Sequence, residues 1–226
     1  MNIRVVSLVL IVLVFALVSG IMSYSVSSGA SLKDAYSSGK ITVVQQTAAG
    51  TVPHQVMVTN NASKSVKVKK GDVLASTMSQ SLVIAEDKVI TSNSNATVNV
   101  YCLDPSQRAV VGAKLLPVNT TYSAVTRLVS SSNPSNPQSA MDTQLQIWVI
   151  TSGGNLNPYT GEPVAVVEKN NMTWSQFRQE ISDAKSDVMS TFNVTEGNIQ
   201  NLNQTHSNSA QVSWIDNTIS WIKGSI

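Results

Sequence analysis

The residues with the clearest chemical potential are a thiol and an amide. The chain has one cysteine, Cys102, in the run Tyr101-Cys102-Leu103-Asp104. Further on comes Thr143-Gln144-Leu145-Gln146-Ile147-Trp148. A cysteine sulfur can attack a glutamine side-chain carbonyl, expel ammonia and leave an internal thioester. The product is an activated acyl group that an amine, such as a lysine on another protein, converts to a stable amide. Burial favours this chemistry by excluding water and by holding sulfur and carbonyl together. Tyr101 and Trp148, each close in sequence to one partner, would supply aromatic packing. A lone thiol in an exported chain has other outcomes: pairing with another chain, or inert burial as a small hydrophobe. A cysteine hydrolase with His54 or His206 as base is a further reading, although neither histidine lies in a recognisable motif.

Export is read from the N-terminus. Arg4 precedes an apolar run from Val5 to Val18 broken only by Ser7, and Val18-Ser19-Gly20 offers small residues for signal cleavage. Ile21 and Met22 lengthen the run toward a membrane anchor. Residues 1–22 are therefore a signal peptide or an N-terminal anchor, and residues 23–38 a Ser-rich tether. Both place the remainder outside the cytoplasm, secreted or at the cell surface. Sequons at Asn61, Asn95, Asn119, Asn171, Asn193 and Asn203 are compatible with a glycoprotein, though a chain this rich in Asn, Ser and Thr gives roughly four by chance.

Charged residues are 12% of the chain, about half the usual ~25%. The net charge of +2 is too small and too dispersed for a nucleic-acid partner. Two histidines and one cysteine cannot make a tetrahedral zinc set, and no cofactor-binding pattern is present. The expected partner is a surface protein or envelope component, with membrane contact through the N-terminal segment.

The elements that would position the thiol and amide follow from periodicity. Ile41–Val44, His54–Val58, Ser65–Val68, Gln80–Ile84 and Ala96–Tyr101 alternate and are rich in β-branched residues. Turn chemistry at Asn60-Asn61 and Lys70-Gly71-Asp72 separates them. This predicts an immunoglobulin-like β-sandwich over 39–116. Helical spacing begins after Leu116-Pro117, with helices expected near Tyr122–Val129, Ser139–Thr151 and Ala210–Ile222. Another opens on the capping box Thr173-Trp174-Ser175-Gln176. Pro163–Val167 is expected as a short strand. The fold class is thus α+β, a sandwich followed by a helical region over 117–226. Trp148 and Trp174 are expected to pack between helices and sandwich, His54 to lie at a strand edge and His206 in a loop.

Tyr-Cys-Leu-Asp followed by Thr-Gln-x-x-Ile-Trp resembles the surface thioester domain of bacteria and archaea, also called the TQxA domain. The resemblance covers roughly Val98 to Ser152. It implies β-structure joined to a helical subdomain, a cysteine–glutamine thioester and a covalent adhesion module rather than an enzyme. Carried onto this chain, Cys102 would be the thiol and Gln144 the acyl donor, with Tyr101, Thr143 and Trp148 as supporting neighbours.

Overall fold

The computed structural model describes residues 29–203 and the backbone of 205–207. The N-terminal apolar segment, the first six residues of the tether (23–28) and the expected helix with Trp214 and Trp221 lie outside the described residues.

The fold is α+β. Its main sheet has six antiparallel strands in the order β2 (Ile41–Gln45), β3 (His54–Asn60), β8 (Ser94–Cys102), β6 (Leu82–Ile84), β5 (Val73–Ala75) and β9 (Leu116–Val118). The sheet curls almost closed. Just before β9, Leu115 N–H donates to Val43, and Gln45 N–H donates to Ala113, both at 2.9 Å. A bridge joins Val44 to Lys114. The immunoglobulin-like sandwich is not established by this pairing, because the outer strands bend toward each other instead of ending two facing sheets. A small second sheet joins β1 (Ala30–Ser31), β4 (Val66–Val68) and β7 (Lys88–Ile90). Finally, β10 (Thr120–Tyr122) pairs with β11 (Thr205–Ser207), so the backbone of His206 lies in a strand opposite Thr121 rather than in a loop.

Alternation explains the buried faces. Along β3, His54, Val56, Val58 and Asn60 are buried while the residues between them are not. Along β2 the same holds for Ile41, Val43 and Gln45. Successive side chains point to opposite faces of a strand, so these polar residues share a face with valines.

The helices are α1 (Leu32–Ser37), α2 (Ser123–Ser131), α3 (Pro137–Thr151), α4 (Gly161–Lys169) and α5 (Trp174–Phe192), followed by a 3₁₀ helix over Glu196–Asn203. The helix α3 buries Leu145, Ile147, Trp148, Val149 and Ile150, which lie around its whole circumference, the mark of a central helix. It packs on α5, α2 and the end of β8. The helix α5 starts on the expected capping box, with Thr173 accepting from Gln176 N and Gln176 accepting from Thr173 N. Its first residue, Trp174, does not pack inward as expected. It is 36% exposed and lies against Tyr159, ring centroids 5.0 Å apart.

The valine run at 163–167 is helix, not strand. Thr160 is the N-cap and Pro163 falls in the first turn, where its missing N–H has no intrahelical acceptor to lose. That placement puts Glu162 at the N-terminus of α4.

Candidate functional site

Cys102 is the last residue of β8, and its two neighbouring strands bring residues to its side. Leu82 of β6 pairs with Cys102, and His54 of β3 pairs with Val100. Directly paired residues share a face, as do residues two apart on one strand. Gln80, two before Leu82, therefore faces the same way as Cys102 and His54. All three side chains are completely buried, as is that of Glu162.

Gln80 is the amide at the sulfur. Its Oε1 lies 2.5 Å from Cys102 Sγ. That separation is too short for a thiol hydrogen bond, since sulfur is larger than oxygen and O–H···O bonds already span about 2.5–3.0 Å. A thioester would hold the same two atoms at a similar separation. A C=O bond of about 1.23 Å, a C–S bond of about 1.8 Å and a trigonal angle put the two atoms about 2.6 Å apart. The sulfur also contacts the Asp104 carbonyl oxygen at 3.2 Å.

Gln144 also comes to Cys102, but to its backbone. Cys102 N–H donates to Gln144 Oε1 at 2.9 Å, and Gln144 Nε2 donates to the Cys102 carbonyl at 2.8 Å. The reason lies in the strand. Leu103 N–H turns toward Ser81 of the β6 side, and backbone polar groups alternate in direction along a strand. Those of Cys102 therefore turn toward β3, whose pairing stops at His54. The Gln144 amide takes the place of the missing strand, with both of its ends committed. The expectation that Gln144 presents its carbonyl to the sulfur differs from this placement.

The expected supporting residues surround the pair. Tyr101 and Trp148 are fully buried and Thr143 nearly so. Tyr101 Oη lies 3.4 Å from Ser132 Oγ. Burial raises the Tyr101 hydroxyl above its ordinary value, against smaller lowering by Ser132 and Thr143. Burial also pushes the Cys102 thiol well above its ordinary value; the Trp148 indole N–H, which lowers it, is the main opposing influence, and the Glu162 carboxylate adds to the rise. The indole nitrogen makes no hydrogen bond of ordinary geometry, and the sulfur feels it as a nearby donor.

Behind Gln80 stands a second layer. Its Nε2 is 2.9 Å from His54 Nε2, which is in turn 3.0 Å from Glu162 Oε1. His54 Nδ1 meets Thr47 Oγ1 at 3.0 Å and Gln45 Nε2 at 3.4 Å. His54 is thus an interior residue, not a strand-edge one. Gln80 stands between the sulfur and the imidazole, an arrangement unlike a cysteine–histidine hydrolase dyad. Glu162 accepts from Gly50 N at 2.6 Å and Ala109 N at 3.0 Å. Two glycines permit this approach. A Cβ on Gly50 would strike the Ala165 carbonyl and one on Gly161 the Pro105 carbonyl, and both have positive φ, +80° and +63°. Burial alone would raise the Glu162 carboxyl; the His54 hydrogen bond and charge, with the two backbone donors, outweigh it and leave it below its ordinary value.

Gln80, His54 and Glu162 were not singled out by sequence motif. Alternation along β3 was the signal available for His54, since it shares a parity with Val56 and Val58. Nothing local marks Gln80. Among the described residues no group of His, Cys, Asp and Glu is placed to hold a metal ion, and no helix is long and apolar enough to cross a membrane. The sequon residues Asn61, Asn95, Asn119, Asn171 and Asn193 are exposed. Asn203 is half-buried and its Nδ2, the atom a glycan would occupy, donates to the Thr151 carbonyl at 3.0 Å.

Comparison with known proteins returns no match: no family model fits the chain, and no curated protein or solved structure is significantly similar to it.

Proposed function

We propose that this is an exported surface-attachment module that carries an internal thioester between Cys102 and Gln80 and acylates amines on a partner. The observation that carries the reading is the 2.5 Å approach of Cys102 Sγ to Gln80 Oε1 inside a fully buried site. The resemblance to surface thioester domains supplies the role, covalent adhesion without turnover, and it is modified in one respect. The acyl donor is Gln80, and Gln144 holds the strand end on which the sulfur sits. The exposed apolar residues nearest Gln80 in the chain and across its neighbouring loop are Met78 and Val110. Their segments are tied together where Val110 N–H donates to Ser79 Oγ at 3.0 Å.

The second reading is a non-covalent structural or interaction module with an inert cysteine. It draws on the complete burial of Cys102 and on the upward shift of its thiol, both of which suppress thiolate chemistry.

Intact-mass measurement of the exported protein separates the two. The thioester predicts a mass lower by one ammonia, a thiol that resists alkylation after rapid denaturation, and methylamine incorporation that peptide mapping places on Gln80. A full mass with Cys102 freely alkylated leaves the inert-cysteine reading standing. Methylamine on Gln144 would return the acyl donor to the helix.

A further inference from the structure

The two oxygens of Glu162 both accept hydrogen bonds from backbone, from Gly50 N–H and Ala109 N–H. Glu162 is therefore a carboxylate, and the hydrogen in its 3.0 Å contact with His54 belongs to His54 Nε2. On the other side of the ring, Thr47 Oγ1 lies 3.0 Å from Nδ1 while accepting from Gln55 N–H at 3.0 Å and Gln45 Nε2 at 3.2 Å. The Gln80 amide nitrogen, 2.9 Å from His54 Nε2, then faces a donor. A side-chain amide nitrogen is a donor only, because its lone pair is delocalised into the carbonyl. Donor against donor is a poor contact in a fully buried site. It becomes a good one once the sulfur has added to the carbonyl carbon. The nitrogen is then a pyramidal amine with a free lone pair, able to take a proton and leave. A contact that improves along the reaction is what catalysis requires.

Resting on the Cys102–Gln80 bond proposed above, we infer that His54 is a catalytic residue, the proton carrier for thioester formation and for its later opening by an amine, with Glu162 positioning it. In the forward direction the sulfur bonds to Gln80 Cδ while the thiol proton passes to Oε1, the atom it touches. His54 delivers its Nε2 proton to the amide nitrogen, the C–N bond breaks, and ammonia departs. The proton on Oε1 returns to the imidazole as the C=O double bond reforms. The products are the thioester and one ammonia, with His54 unchanged. In the opening direction a primary amine enters the place that ammonia left. Its nitrogen bonds to Cδ and gives one proton to His54, which returns it by way of Oε1 to the sulfur as the C–S bond breaks, so the sulfur leaves as the thiol and His54 is unchanged. The substrate class is accordingly an unhindered primary amine, such as a lysine side chain, since it must fit the space of the vacated NH₂ group.

Ammonia itself runs thioester formation backward, to Gln80 and a free thiol, so closure can be timed from a defined start. The full chain is opened with ammonium, desalted, and followed by intact mass and thiol titration. General acid–base groups contribute roughly 10²–10⁴-fold, so His54→Gln should close at least about 10²-fold more slowly than the natural protein. Glu162→Gln should also close more slowly. A purely structural role for His54 would leave the solvent deuterium isotope effect on methylamine opening unchanged, whereas a proton-transfer role predicts its loss in His54→Gln. Thermal melts establish that each variant is folded, and Glu162→Gln decides if His54→Gln is not. Folded variants that close at the natural rate with the natural isotope effect overturn the assignment of His54 while leaving the bond intact. A natural protein that never lacks ammonia overturns the bond itself, and the assignment with it.

Discussion

Replacing Gln144 with leucine separates its two conceivable roles, strand partner and acyl donor. Leucine keeps most of the buried volume and removes both hydrogen bonds. Two backbone groups of Cys102 then lose their partners, an N–H bonded at 2.9 Å and a carbonyl bonded at 2.8 Å. The side chain of Gln144 and the whole of Cys102 are inaccessible, so water cannot replace the lost amide without a local rearrangement. An unsatisfied buried group costs about 1–3 kcal/mol, which puts the loss for two at about 2–6 kcal/mol. At roughly 2–4 °C per kcal/mol for a domain of this size, the melting temperature should fall visibly. Urea denaturation monitored by tryptophan fluorescence measures the free energy, and intact mass on the same sample reports the thioester. The expected result is a destabilised protein that still lacks one ammonia. Stability within about 0.5 kcal/mol of the natural protein, the range of an ordinary surface substitution, would refute the strand-partner argument. A folded Gln144→Leu protein with a full mass would refute Gln80 as the acyl donor.

Two further outcomes follow from the layer behind Gln80. Gly161→Ala places a methyl group against the Pro105 carbonyl at a residue with φ of +63°; it should cost more than the ~1–2 kcal/mol of a left-handed backbone alone, and a chemical melt indistinguishable from the natural protein would count against the close approach. The folded-state carboxyl of Glu162 lies below its ordinary value of 4.5, so its contribution is present above that value and is lost as the pH falls through the lowered one. The stability difference between the natural protein and Glu162→Gln should therefore shrink on acidification below 4.5, and a gap that widens there in paired melts would reverse the sign of the argument.

How much of this was legible in the sequence depends on the range of the interaction. Strands β2, β3, β4, β6 and β8 and helices α2, α3 and α5 were readable because alternation, helical spacing and a capping box are local patterns. Strands β5 and β7, of three residues each, stand outside any longer alternating or β-branched run, whereas the equally short β4 and β6 lie within Ser65–Val68 and Gln80–Ile84. The valines of α4 read as strand because β-branching is a weak preference that the Thr160 cap and first-turn Pro163 override. The thiol was legible from its solitude, and Gln144 from the Thr-Gln-x-x-Ile-Trp run. Gln80 was not, because what brings it to the sulfur is the register of β6 against β8. Glu162 was missed for the same reason: its partners Gly50, Ala109 and His54 lie far away in the chain.

The strand order has a mechanical consequence. Gln80 sits two residues before β6, and β6 is an inner strand, hydrogen-bonded to β8 on one side and to β5 on the other. A partner joined through Gln80 hands its pull to the end of that strand. A force along the strand direction is then resisted on both flanks together, with the bonds sheared side by side. An attachment point on an edge strand such as β9 would instead be peeled away one bond at a time. On the proposed attachment the curled sheet would be a grip as well as a scaffold, with the Gln80 amide held from two sides.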